Sequence, residues 1–239
     1  MRKLILFLFI ALSISTAFCA ASRSFTNTAG ENISMGNVND TKTNDFTMLV
    51  WKRSREDSSS DAWITKKRTT VTNAGKAYFD NASDNATAIV SDNTNTLTCS
   101  SIRDLDDAWA HEAVTWDGTA NTLRLIENLN VACSSTGVSM GSLSTTFGFY
   151  IGNSGVLSEQ ANGQAAHVAF YPSVLTLAQI SELYFKPETP FSGVSGYWPL
   201  WFEGSTEKDL SGRGLTGTVT TTTSSNDGPP VMFGSGLPL

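Results

Sequence analysis

The feature that most constrains this chain is a series of short apolar runs separated by turn-forming residues. They lie at 46–51, 62–66, 76–80, 87–91, 111–116, 123–126, 147–151 and 165–171. Each is too short to pack as a helix. Asn, Asp, Ser and Gly separate them, and these residues suit turns because their side chains bond nearby backbone or tolerate positive φ. Between the fifth and sixth runs, Asp117-Gly118-Thr119-Ala120-Asn121 makes a good hairpin connection. Many short strands at regular spacing predict an all-β sandwich or barrel.

One segment departs from this pattern. Thr176 and Gln179 form a capping-box pair, and Leu177, Ile180, Leu183 and Tyr184 recur at helical spacing before Pro187. A single amphipathic helix is expected there, lying against the sandwich. Residues 187–195 read as a linker, and the chain from Gly196 onward reads as further strands with Gly-rich turns.

Charge narrows the partners. Only 16% of residues are charged, with 22 acidic against 16 basic, below the usual ~25% charged. A negative surface argues against a phosphate backbone as ligand, so no nucleic-acid partner is expected. The one basic cluster, Lys66-Lys67-Arg68, reads as a solvated strand edge. At the N-terminus, Arg2 and Lys3 precede an unbroken apolar stretch from Leu4 to Ala11, then smaller residues to Ala21. That is the pattern of a secretory signal peptide over residues 1–21. No apolar stretch is long enough for a membrane span. The mature chain is expected to be secreted or held at the cell surface. Cys19 leaves with the signal, and in an oxidising compartment Cys99 and Cys133 read as one disulfide.

The stretch from Trp109 through His111, Glu112 and Trp116 to Asp117-Gly118, followed by Leu123-Arg124-Leu125, resembles the central hairpin of laminin G-like jelly-roll domains. Downstream, Ile151-Gly152, Gly163, the run to Tyr171 and the helix at 175–184 resemble that family's closing block. Upstream, Ser24-Phe25, Ile33 and Gly36 fit its opening strand. The resemblance implies a concanavalin A-like jelly-roll sandwich of two antiparallel sheets with one short helix near 176–185. It covers most of residues 22–186. Two departures stand out: Glu112 occupies a position that is usually apolar, and residues 127–130 lack a turn glycine. The order also differs, because Gly196-Tyr197-Trp198-Pro199-Leu200 resembles a segment that normally precedes the opening strand. Residues 196–239 are therefore expected to complete the sandwich from the far end of the chain. They can do so within one subunit or across to a neighbour.

Members of this superfamily include polysaccharide-cleaving enzymes, which need two carboxylates on one strand face across the scissile bond. No alternating Glu-x-Asp-x-Glu run exists here. Glu203, Glu207 and Asp209 are the nearest set, and they lead into a turn. His111 and His167 have no partner at a recognisable ligand spacing, and no nucleophile elbow appears. No catalytic residue is assigned. Asp80, Asn81, Asp84 and Asn85 offer hard oxygen ligands for calcium at a rim loop, or a turn bonded to its own backbone. Trp63, Trp198 and Trp201 are candidates for stacking on a sugar, with burial in the core as the alternative; Trp51 and Trp109 read as core. The resemblance implies a non-catalytic glycan-binding or adhesive module whose partner is a glycan or cell-surface polysaccharide. The alternatives are a self-assembling extracellular structural subunit (an appendage, surface-layer or virion-associated protein) joined through the C-terminal segment, and thirdly a polysaccharide-cleaving enzyme.

Overall fold

A computed structural model describes residues 21–38, 45–55, 61–67, 75–82, 85–92, 94–101, 107–137, 139–141, 143, 148–153 and 160–230. The signal segment expected at 1–21 lies outside them up to residue 20, as do Asp84 and Arg68. The described residues form sixteen strands and one helix. In chain order the first strands are β1 (Ser22–Thr26), β2 (Asn32–Ser34), β3 (Phe46–Ser54), β4 (Asp61–Lys67), β5 (Gly75–Ala82) and β6 (Asn85–Ser91). Then come β7 (Thr96–Ser100), β8 (Ala110–Asp117), β9 (Thr122–Glu127), β10 (Asn130–Thr136), β11 (Tyr150–Ile151) and β12 (Asn162–Tyr171). After helix α1 (Leu177–Phe185) follow β13 (Gly196–Trp198), β14 (Thr206–Glu207), β15 (Gly217–Thr220) and β16 (Thr223–Ser225).

The strands build two antiparallel sheets in a jelly-roll sandwich. One runs β10-β9-β8-β3-β12-β1-β16, with β13 also paired to β12; the other runs β14-β15-β2-β11-β4-β5-β6-β7. The main core lies between them. Phe46, Met48 and Val50 of β3, Val114 and Trp116 of β8, and Leu123 and Leu125 of β9 face Ile64 of β4 and Ala88 and Val90 of β6. The other face of the first sheet is covered too. Leu49, Ala113, Ile126, Ala169 and Tyr171 pack under Ile180 and Leu183 of α1. Strands buried on both faces lose the alternation of half-exposed strands and read as continuous apolar runs, as β3 does.

Helix α1 starts where expected. Thr176 caps it, its hydroxyl accepting from Gln179 N while the Gln179 side chain accepts from Thr176 N. This reciprocal bonding satisfies two amides that helix geometry leaves without partners.

The C-terminal segment contributes to both sheets. β13 pairs with β12 through Val168↔Trp198, β16 pairs with β1 through Arg23↔Ser224, and β15 pairs with β2 through Val219↔Ile33. A bulge in β12 between Ala166 and Ala169 makes room for this. There His167 takes a φ of 50°, and its amide donates to Pro199 O at 3.1 Å. Below the bulge β12 pairs with β1, and above it with β13. Trp198 and Leu200 are fully buried.

Some elements differ from expectation. β7 and β10 do not stand out as apolar runs; they are short, rich in Ser and Thr, and lie at the sheet edges. Lys66 is not on a solvated edge. It is buried, and its Nζ donates to Val38 O and lies 3.4 Å from Asn37 Oδ1. Asp80 and Asn81 stand in β5, paired with Thr87 and Ala86, and Asn85 opens β6.

Candidate functional site

Two of the three candidate stacking residues are withdrawn from solvent. Trp63 packs edge-on against Phe25, and Trp198 stacks on Phe149 with ring centroids 5.3 Å apart. Both belong to the main core, so neither face can meet a sugar. Alternation tells which residues share a strand face but not which face turns inward. Trp201 is half-buried, its ring edge-on to His167 at 5.7 Å.

The carboxylates at 203–209 do not converge. Glu207 is buried, with Oε2 accepting from Arg23 Nε at 3.1 Å. Burial raises its pKa, and the Arg23 charge and hydrogen bonds offset this only in part. Asp209 organises a turn, accepting from the amides of Tyr197, Ser211 and Leu215 at 2.8–3.1 Å. Burial pushes its pKa up, but those bonds and one from the Ser211 hydroxyl outweigh it and hold it below the usual value. Glu203 is exposed.

A second pair of glutamates is closed off between the sheets. Glu112 and Glu127 face each other on β8 and β9, and both are buried. Lys52 Nζ stands 2.9 Å from Glu112 Oε1 and 5.6 Å from the centre of the Trp63 ring, while Ser101 donates to Glu127 at 2.7 Å. All four side chains are buried.

The histidines are held neutral. Burial, reinforced at low pH by repulsion from His167 once that ring is protonated, lowers His111 to about 3, and burial lowers His167 to about 4. His111 packs against Trp51 and Tyr184, and His167 Nδ1 bonds the Tyr197 hydroxyl at 2.9 Å. Among the described residues no three His, Cys, Asp or Glu side chains gather into a metal site.

A groove of about 490 Å³ opens to solvent along the C-terminal strands. Glu203, Gly204 and Ser205 line it, with Val219, Thr221, Thr222, Thr223 and Ser224. Arg23 of β1 also lines it, although its side chain is only 1% exposed. Nε bonds Glu207, and Nη2 bonds the carbonyls of Phe202 and Gly204, the latter at 3.2 Å. Nη1 has no partner among the described residues. Thr221, in the turn between β15 and β16, adopts a φ of 55°, a strained conformation for a β-branched residue. Sequence reasoning missed Arg23, and nothing local to residue 23 signals its role.

The order of strands, the outer helix and the central hairpin agree with the match of residues 27–181 to a family model. The chain belongs to the concanavalin A-like lectin/glucanases superfamily. No curated protein matches its sequence. Among solved structures it is similar to other sandwiches of this superfamily's general shape. A candidate carbohydrate-binding protein from Bacteroides ovatus is 18% identical with a TM-score of 0.65, over 89% of this chain and 61% of that one. The chain thus spans about three fifths of that protein. A heptameric SAP-like pentraxin from Limulus polyphemus gives 13% identity and a TM-score of 0.60, over 85% and 97% of the two chains. The Ruminococcus gnavus IT-sialidase CBM40 bound to α2,3-sialyllactose gives 9% and 0.52, over 66% and 95%. At these identities the likeness establishes the superfamily's fold.

Proposed function

We propose that this protein is an exported, non-catalytic glycan-binding module that holds a saccharide in the groove above Arg23. The observation that carries the reading is the uncommitted Nη1 of an otherwise buried, fully oriented arginine beneath a wall of hydroxyls. Sugars are recognised by fixed donors and acceptors whose geometry is set before binding. Arg23 meets that requirement, because Glu207 and two carbonyls prevent it from turning. The carbohydrate-binding proteins among the similar structures support the same reading.

Absence of catalysis is part of the proposal. Glu207 and Asp209 are committed to structural bonds, and Glu112 and Glu127 are sealed. Among the described lining residues that leaves Glu203 as the exposed carboxylate, where retaining or inverting hydrolysis requires two. The C-terminal strands pair with β12, β1 and β2 of their own chain, which supports closure within one subunit over assembly by strand donation.

A glycan array followed by calorimetry on the mature chain tests binding. Ser205→Tyr, a substitution at an exposed groove residue, should reduce affinity at least tenfold with unchanged melting. Absence of binding to every saccharide, or binding indifferent to groove filling, would remove the proposal. Release of reducing ends from a bound glycan, lost in Glu203→Gln, would show an enzyme instead.

A further inference from the structure

Resting on the glycan-binding reading of this groove, we infer that its ligand is an uncharged saccharide gripped through neighbouring hydroxyls, and that acidic sugars are disfavoured. The first reason is the way Arg23 is spent. Arginine clamps a carboxylate with two parallel N–H donors from one edge of its fork. Both such edges include Nη2, whose two hydrogens go to Phe202 O and Gly204 O, and Nε is taken by Glu207. Nη1 remains, enough to donate to a hydroxyl oxygen but not to form a fork on a carboxylate.

Charge is the second reason. Among the described groove-lining residues Arg23 is the one cation, and Glu207 pairs with it. Glu203 then stands at the exposed rim without a compensating lysine or arginine in the lining, on a chain with a net charge of -6. A ligand carboxylate about 6 Å from Glu203 would be repelled by an amount that lowers affinity roughly threefold in bulk water and roughly a hundredfold at the effective dielectric of ~20 near a protein surface, with the exposed rim lying between the two. A neutral sugar meets the opposite situation. Glu203 accepts from one or two adjacent hydroxyls, Nη1 donates to another oxygen, and the hydroxyls of Thr222, Thr223 and Ser224 can act in either sense.

The experiment compares matched pairs by calorimetry on the mature chain: lactose with 3′-sialyllactose, and neutral oligosaccharides from the array with their uronic-acid counterparts. Neutral members should bind at least tenfold tighter. Glu203→Gln should weaken neutral binding several-fold and narrow the gap between the pairs to about twofold, with melting unchanged. Equal or tighter binding of the acidic members, abolished by Ser205→Tyr, would overturn the charge inference while leaving the glycan groove in place. Failure of both series to bind would sink the groove reading itself.

Discussion

Lys52 Nζ lies 2.9 Å from Glu112 Oε1, and both side chains are enclosed between the two sheets. Neither oxygen of Glu112 is in hydrogen-bond geometry with any described group, so the pair is held by Coulomb attraction alone. An ion stripped of its partner in such a place costs about 3–5 kcal/mol, whereas removing both charges is often neutral. Lys52→Met should therefore destabilise the fold severely. The double variant Lys52→Met with Glu112→Leu should recover most of the loss. Urea denaturation of the singles and the double measures the coupling directly.

The bond between Cys99 and Cys133 joins β7 to β10, an edge strand of each sheet. With a sequence separation of 34, the chain-entropy model assigns it about 3–4 kcal/mol. Intact mass before and after reduction should show it in the native protein. The Cys99→Ala, Cys133→Ala variant should melt well below the parent, and reductant should not lower it further.

Trp198 anchors the C-terminal segment. Its ring stacks on Phe149, and its Nε1 donates to Leu215 O at 2.8 Å. Trp198→Ala should cost about 3–5 kcal/mol, in the range for emptying a large aromatic site. Trp198→Phe, which keeps the stacking and loses the hydrogen bond, should cost about a third of that. Deleting residues 196–239 should yield insoluble protein; a truncated chain that melts cooperatively at the parent temperature would mean that these strands are dispensable.

How much of this was legible in the sequence differs from place to place. The alternating runs and the capping box at Thr176 led directly to the central strands and α1, because those signals are local. Glu112 was visible as an anomaly, but its partner Lys52 comes from a different strand and only pairing brings them together. β7 was hidden although Leu97 and Cys99 alternate inward, since two apolar residues among Thr and Ser do not distinguish a strand from a loop. The groove was out of reach for the same reason at larger scale: Arg23 and Glu207 stand 184 residues apart. Trp63 and Trp198 illustrate the remaining gap, because an aromatic side chain suits a core and a sugar platform equally well.

Acid should loosen the molecule. His167 and His111 titrate at about 4 and about 3 when folded, both below the ordinary 6.5. The unfolded chain then takes up protons that the folded chain refuses, so stability is full above pH 6.5 and falls as the pH drops toward 4. Each shift fully expressed is worth roughly 3 kcal/mol or more. Glu207, raised when folded, acts in the opposite sense and offsets part of the loss. Melting temperatures from pH 7 to 4 should decline, and His167→Asn, which tolerates the positive φ, should flatten the profile.

Thr221 should exchange stability against binding. Glycine accepts its φ of 55° without strain, so Thr221→Gly should raise stability by up to about 1 kcal/mol. The same change removes a groove-lining side chain and frees the turn, so glycan affinity should fall. Calorimetric melting and titration on one preparation give both numbers.

The pairing of β1 with β16 also determines how the fold meets a mechanical load. Ser22 lies opposite Ser225 on antiparallel neighbours, so the start of β1 and the end of β16 meet at one corner of the sandwich. Tension applied through both ends therefore pulls that ladder open from its tip, one hydrogen bond after another, instead of shearing all of them together. A tethered copy would peel at low force from the very strands that wall the groove. The covalent link between β7 and β10 would then stop the unravelling short, keeping the stretch from Cys99 to Cys133 as a closed, inextensible loop.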